Sequence, residues 1–588
     1  MQALTFTPAV AAAPARKVAG VRVARPVATK AAAGRMANTT PKGPERTGKP
    51  TVQSRTIPKD LPYVEKTTRP LNIVFVSAEV APWSKTGGLG DVVGALPCEL
   101  ARRGHKVMTV APRYDQYYDA WDTSVRTTIA GEEVGYFHTV DQGVDRVWVD
   151  SPLFLAKVWG KTGSKLYGAK AGVDFDDNQK RFRVFTEAAI EACRKLPFGP
   201  GEDVVFVAND WHSAMVPVLL KTKYQARGEF KNAKTAFCIH NIAFQGRFPA
   251  SSFGGLSCPP EAKSFFDFTD NQPVDAMGKE VKGANAPTAK LNWMKAGFQT
   301  ANKLITVSPN YALEITADAA KGVELDGVIR GAGGIEGIVN GMDPTEWHPA
   351  KDKFLDVKYT ASTVHQGKAA AKATLQAEAG LPVNPSAPVF GFIGRLEEQK
   401  GVDIMLKAIP DIVAAGGQVV VLGTGKKAFE AAVRKLDAAC PGAKGVVKFS
   451  APLAHLITAG ADFMLVPSRF EPCGLIQLHA MQYGTVPVVA STGGLVDTVK
   501  EGVTGYHMGA LDADACIPED VQAVAAACKK AIAAFNTPKH RSMVERCITQ
   551  DLTWKEPAKK WEAVLEELAF GENRAGKKAE VRTPVNVA

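Results

Sequence analysis

The 588-residue chain has ordinary soluble-globular composition, 45% apolar and 22% charged, and exceeds the ~250–300 residues at which single cores stop growing, so two or more domains are expected. No apolar run reaches about 18 residues, which excludes a helical membrane span. The nine scattered cysteines, never spaced C-x-x-C, argue against a zinc site or disulfide scaffold. The net charge of +11 sits at one end: residues 1–60 hold eleven Lys/Arg against Glu45 and Asp60, leaving 60 Lys/Arg against 58 Asp/Glu, so nothing argues for a nucleic-acid surface.

Up to Pro44 there is no acid, and Ala, Val, Arg, Thr and Pro dominate, the composition of an organelle transit peptide cleaved somewhere within residues 30–60. A disordered basic tail is the alternative reading, and composition does not separate plastid from mitochondrion.

From Leu71 short β-branched runs alternate with helical stretches, the pattern of parallel α/β sheets. The first half predicts strands at Ile73–Ser77, Lys106–Ala111, Val204–Ala208, Thr235–Ile239 and Lys303–Val307. The second predicts them at Val389–Ile393, Gln418–Leu422, Val446–Phe449, Phe463–Val466 and Val486–Ala490. This gives two doubly wound domains, 71–343 and 344–550, joined near Gly341–Pro344. A helix at 551–570 and a frayed tail at 571–588 complete the chain.

Behind the first strand, Ser77–Pro97 reads SAEVAPWSKTGGLGDVVGALP, with Lys85 ahead of Gly87, Gly88 and Gly90 and a helix predicted over Asp91–Arg103. Glycines let backbone N–H groups approach an anion at a helix start, and Lys85 adds a full charge, so the run reads as a diphosphate cradle, though not a Walker loop. An ordinary glycine-rich turn is the plainer alternative. Two later strand ends are polar: VFVANDWHS brings Asn209, Asp210 and His212, and FCIHNIAFQGRF brings His240 and Asn241.

In GRLEEQKG, Arg395 and Lys400 suit a pyrophosphate leaving group, unless they pair with Glu397 or Glu398 at the surface. In SRFEPCGLIQLHAM, Glu471 can accept hydrogen bonds from a sugar ring while amides around Cys473–Leu475, including Gly474, hold hydroxyls; helix capping by Glu471 is the alternative. Cys473 at a helix start is a candidate for a lowered thiol pKa, or simply packing. In STGGLVDTV, Thr492, Gly493 and Gly494 offer a turn to the distal phosphate, or merely turn the chain.

KTGGLGDVVGALP, HNIAFQGRF, NWMKAG, GRLEEQKG, SRFEPCGLIQLHAM and STGGLVDTV resemble the starch and bacterial glycogen synthases, the family 5 glycosyltransferases, over Leu71 to Phe570. HNIAFQGRF and LNWMKAG are most similar to the granule-bound, amylose-making branch. The resemblance implies a GT-B fold, two Rossmann-like domains facing across a deep cleft, with the last helix returning to the first. It also implies glucose transfer with retention from ADP-glucose to the non-reducing end of an α-1,4-glucan, with no cofactor. In that scheme Lys85, Arg395 and Lys400 clamp the diphosphate and Glu471 holds the sugar. His240 approaches the transferred glucose, with Asn241 beside it, and Asp210 orients or deprotonates the acceptor hydroxyl. The second glutamate common in related enzymes is replaced by His479. The nearest D-x-D, Asp174–Asp176, resembles a substrate-side loop, so metal independence is expected. A plastid location on the starch granule, and a carbohydrate-binding targeting partner, follow from the resemblance alone. A soluble starch or glycogen synthase is the alternative; a silent glucan-binding protein would be expected to lack Lys85, Arg395, Lys400 or Glu471, and all four are present.

Overall fold

The computed structural model describes residues 64–158, 165–169, 173–271 and 288–571, all within one compact unit. The segment 1–60 and nearly all of 571–588 lie outside the described residues.

The first sheet has nine strands: β1 (Asn72–Val76), β2 (Lys106–Pro112), β3 (Trp121–Ile129), β4 (Glu132–Asp141), β5 (Val144–Asp150), β6 (Val205–Asn209), β7 (Lys234–Ile239), β11 (Lys303–Thr306) and β12 (Glu336–Gly337). A small antiparallel sheet of β8 (Arg247–Pro249), β9 (Asp267–Asp270) and β10 (Thr288–Asn292) interrupts it in sequence. The second large sheet has β13 (Val389–Ile393), β14 (Gln418–Leu422), β15 (Ala443–Val446), β16 (Phe463–Val466), β17 (Val486–Val489) and β18 (Tyr506–His507). Strands such as β1, NIVFV, are apolar after their first residue because a parallel sheet covered by helices buries both faces.

Strand order places the functional loops. The first sheet runs β12-β11-β7-β6-β1-β2-β5-β4-β3, and the second β15-β14-β13-β16-β17-β18. In each, the connections leave in opposite directions from one central pair, β1/β6 in the first and β13/β16 in the second. Such a reversal opens a crevice at the carboxyl ends of the two strands. The loops after β1 and β6 therefore meet, as do those after β13 and β16.

The α/β, two-sheet architecture stands, but several elements depart from the sequence reading. The β3–β5 meander was not predicted. Its edge strand β3 is largely polar, and its turns at Ala130-Gly131 and Gln142-Gly143 use positive φ (49° and 81°; 50° and 81°) without the Asn-Gly signal of such hairpins. Instead of Val446–Phe449, the edge strand is Ala443–Val446, and Phe449 is 94% exposed. Gly445 fixes that choice: a Cβ there would lie 1.9 Å from the Val433 carbonyl, so only glycine lets the strand pack on the preceding helix. Trp148, on β5, is fully buried, and Trp121, which opens β3, is half exposed.

The chain crosses between the sheets twice. The Met342 N–H bonds to Leu552 O (2.9 Å), so outgoing and returning segments run side by side. The final helix, Lys555–Phe570, then packs on the helix Gly88–Arg102 of the first sheet. Trp554, Trp561 and Leu565 join Phe75, Leu89 and Leu96 in one apolar cluster, with the Trp561 and Phe75 rings 6.5 Å apart. Glu562 pairs with Arg103 and with His105 (2.9 Å) at the edge of that cluster.

Candidate active site

The loop after β1 is built around a buried acid. Glu79 is 2% exposed and accepts from the Thr86 N–H (2.5 Å), the Gly87 N–H (3.3 Å), the Thr86 hydroxyl and the Tyr167 hydroxyl (2.6 Å). Burial raises its pKa while these donors pull it down, the first effect being larger. The amides of Thr86 and Gly87 are thus turned inward onto Glu79. The helix starts at Gly88, earlier than predicted, with Gly87 as an N-cap that has no side-chain bond. The first-turn amides of Gly88, Leu89 and Gly90 therefore remain for a ligand, where the helix dipole favours an anion. Lys85 extends from this loop, 48% exposed, and rests on Asp91 (2.6 Å).

Next to it, the ends of β6 and β7 interlock. Asp210, 7% exposed and held at φ 55°, accepts from the His240 backbone N–H (2.7 Å). Burial raises its carboxyl to about 7, against backbone hydrogen bonds from His240 and Asn241, and Glu79 is near enough to add to the rise. His240 Nε2 lies 3.0 Å from Asn209 Oδ1, while the Asn209 amide donates to the Val76 and Val207 carbonyls. The amide oxygen must accept, so Nε2 carries the proton and Nδ1 is bare. Burial lowers this histidine to about 3, so it is neutral at working pH. Asn241 Oδ1 caps its own turn through the Ala243 N–H (3.0 Å). His212 is stacked between Tyr167 (4.5 Å) and Trp211 (4.1 Å) and held neutral by burial.

Across the cleft, β13 and β16 bring their loops together. Lys400 pairs with Glu471, whose Oε2 also accepts from Ser468 Oγ (3.0 Å); Glu471 is 6% exposed. Gln399 Nε2 bonds to Phe470 O (3.0 Å), and Arg469 grips Asp403 with two bonds (2.7 and 2.8 Å), so the two loops are tied together. Arg395 takes the surface alternative, pairing with Glu397 (3.1 Å) while 53% exposed. Glu471 caps no helix: the following one begins only at Ile476, with Leu475 as its N-cap, so Cys473 and Gly474 (φ 75°) precede it. Cys473 is correspondingly not activated; burial pushes its thiol up to about 12. His479 lies flat on Trp347 (4.3 Å), which is stacked on its other face by His455 (3.9 Å), and burial lowers His479 to about 3.

Gly493 and Gly494 are small for a packing reason. A Cβ on Gly493 would lie 2.0 Å from Glu471 O, and one on Gly494 2.5 Å from Cys473 Cα. Their N–H groups are engaged by protein: Gly494 by Glu471 O (3.1 Å) and Gly493 by Glu314 Oε1 (3.1 Å). In this structure the turn holds Glu471 in place instead of presenting bare amides to a phosphate.

The two loop sets converge. A Cβ on Gly88 would meet Leu475 Cδ1 at 3.9 Å, and the Lys85 charge reaches His479. A cavity of about 90 Å³ lies between them, lined by Asp91, Trp347, Leu475 and His479 among others. Sequence reasoning missed Glu79, Tyr167 and Ser468. The signal for Glu79 was a lone carboxylate three residues beyond a buried strand and just ahead of a glycine loop. The Asp174–Asp176 segment packs beside Tyr167, whose carbonyl accepts from the Phe175 N–H (2.9 Å). Among the described residues, no group of three or more His, Cys, Asp or Glu side chains is arranged to hold a metal ion.

Two mostly parallel sheets whose switch-point loops face each other, one offering helix-start amides and the other an ion-paired glutamate beside the exposed Arg395, define a glycosyltransferase of the GT-B fold. A profile for the starch synthase catalytic domain matches residues 72–331, and one for the group 1 glycosyl transferases matches 387–534. Granule-bound starch synthase 1, chloroplastic/amyloplastic, of Solanum tuberosum is 54% identical over 530 residues, 88% of this chain and 86% of that protein. Its counterpart in Ipomoea batatas is 55% identical over 530 residues, 88% and 85% of the two chains. The solved catalytic domain of Starch Synthase IV from Arabidopsis thaliana, bound to ADP and acarbose, is 27% identical with a TM-score of 0.70, covering 85% of this chain and all of that one. The chain belongs to the granule-bound starch synthase family.

Proposed function

We propose that the converging loops carry out retaining glucosyl transfer from ADP-glucose to the non-reducing end of an α-1,4-glucan, the reaction that makes amylose. The observation that carries this reading is the approach of Gly88 to Leu475, which sets the first sheet's uncapped helix start against the loop that also carries Glu471. In the reading, Gly88 with the other first-turn amides and Lys85 face the diphosphate from one side, and Arg395 and Lys400 from the other. The bond from glucose C1 to the phosphate oxygen breaks, and a bond from the acceptor oxygen to C1 forms on the same face. The acceptor proton passes to the departing phosphate oxygen, so ADP leaves and the glucan grows by one glucose. The cations offset the charge that develops on the leaving group, and their preorganisation is the main source of rate. Glu471 holds the sugar, and Gly474 and Leu475 supply backbone contacts.

His240 is assigned a position near the transferred glucose as a neutral ring with Nδ1 able to accept; Asn241 shapes the same turn. Asp210 is better supported as an orienting group than as a base. Its carboxylate is committed to the His240 and Asn241 amides, fixing the turn that presents them. Because Gly493 and Gly494 are bonded to protein, Thr492 and these glycines belong to the support of Glu471.

The protein works in the chloroplast or amyloplast at the starch granule, as the names of its relatives state for them. Residues 1–60 are proposed as the transit peptide, and a carbohydrate-binding protein as the targeting partner.

The test is labelled-glucose incorporation into malto-oligosaccharide by residues 61–588, offered ADP-glucose or UDP-glucose, with and without EDTA. Incorporation from ADP-glucose that survives EDTA is expected. Absence of transfer from either donor would overturn the reading, and a need for magnesium would overturn its metal-free clamp.

A further inference from the structure

We infer that Glu314 and Asp497 are positioning residues which, by capping one another's helices across the cleft, lock the Glu471 loop to the first sheet. The inference rests on the transfer proposed above and concerns residues that touch no reacting atom in it.

The seam joins the helix Pro309–Ala317, which follows β11, to the helix Gly493–Thr498, which follows β17. Each residue reaches a backbone amide of the opposite element. Asp497 Oδ2 accepts from the Asn310 backbone N–H (2.9 Å), in the first turn of the opposite helix. Glu314 Oε1 accepts from the Gly493 backbone N–H (3.1 Å), and Thr492 Oγ1 donates to Glu314 Oε2 (3.4 Å). Thr492, at the cap position of its own helix, makes no side-chain cap bond there, so Glu314 does that work from the other side. Each carboxylate thus satisfies an orphan helix amide and sits where the partner helix's dipole favours negative charge.

Surrounding groups hold the exchange in one geometry. The Asn310 side-chain amide donates to Glu314 Oε1 and to Gly493 O (3.2 Å each), and Lys321 Nζ lies 3.2 Å from Glu314 Oε1. The Ser308 hydroxyl, fully buried, donates to Pro472 O (2.7 Å), a direct tie to the residue after Glu471. From Gly493 the contact passes to Glu471 by close backbone packing and by Gly494 N–H to Glu471 O. Opening the seam frees two part-buried amides and withdraws the support of the Glu471 loop, so it degrades the geometry of transfer more than donor affinity.

The experiment compares Glu314→Ala, Glu314→Gln, Asp497→Ala and the Glu314→Ala/Asp497→Ala double variant in residues 61–588. Readouts are kcat and KM for ADP-glucose, thermal midpoint, and amide hydrogen exchange over 309–317 and 492–498. Either alanine variant is expected to lower kcat about tenfold with KM moved less than about threefold, while exchange rises on both sides of the cleft. Glu314→Gln, which keeps an oxygen for Gly493, should stay within about threefold of the parent, and the double variant should be no worse than about threefold below either single. Parental kcat in Glu314→Ala, glutamine as damaging as alanine, fully additive losses, or exchange rising on the mutated side only would each overturn the inference. If the parent chain transfers no glucose, the function reading fails, and the two-sided exchange response decides the seam by itself.

Discussion

The two loop sets that face each other solve the same problem differently. On the first sheet, Glu79 is buried and its four hydrogen bonds shape the glycine loop from below, leaving the outer amides turned away from it. On the second, the acid and the cation are bonded to each other, Lys400 on Glu471, with Arg395 exposed beside them. The first set is a fixed mould, whereas the second stores its charges in an internal pair that a phosphate and a sugar can divide between them. A buried carboxylate with four donors has no reason to exchange partners; a cation that is 22% exposed has one whenever a better anion arrives.

The largest effect should fall on the second set. Lys400→Ala is expected to lower kcat/KM by about 10²–10³-fold, the range for removing one preorganised charge donor, as read by glucose incorporation. It also leaves Glu471 without its cation. If transfer fell less than about tenfold, the exchange of partners on this side would be wrong. The mould should respond next. Glu79→Gln can keep an oxygen for the Thr86 and Gly87 N–H groups but puts a donor where the Thr86 and Tyr167 hydroxyls now donate, and should cost about 1–3 kcal/mol of stability with a loss of activity of about tenfold. Both changes are measured on one preparation, by thermal melting and by initial rate. Activity lost without stability would mean that Glu79 acts on ligand and not on the loop.

The smallest effect separates orientation from catalysis at Asp210. Its folded-state carboxyl, raised to about 7, lies above its ordinary value of 3.8, so the folded chain carries a penalty for ionising it. That penalty is full above about pH 7, shrinks as pH falls, and is absent below about pH 4, where both folded and unfolded forms are protonated. Asp210→Asn keeps an oxygen for the His240 N–H and removes the charge. It should therefore melt higher than the parent at pH 8 and converge with it towards pH 4.5, at similar activity. Lost activity at an unchanged or raised melting point would restore the base role.

Much of this was legible in the chain. Lys85, Arg395, Lys400 and Glu471 stand at strand ends, and strand ends follow from apolar runs such as NIVFV and VFGFI. What the chain could not disclose was pairing. That Lys400 meets Glu471 depends on β13 lying beside β16, a fact of sheet order, and the Arg395–Glu397 pair was one of two open readings. Amide occupancy was equally hidden. Gly493 reads as a phosphate turn in one dimension and is bonded to Glu314 in three, from a residue with no local motif around it. The β3–β5 meander escaped for a simpler reason: an edge strand of mostly polar residues lacks the periodicity by which strands are recognised.

The returning helix has a consequence for how the protein is made. Phe75, Leu89 and Leu96 leave the ribosome early, yet their cluster is finished by Trp561 and Leu565 near the other end of the chain. At about 5–20 residues per second, the intervening sequence takes roughly 25–90 s to synthesise. During that interval one face of the first sheet is a cohesive surface awaiting its last piece, which only the C-terminal helix can supply.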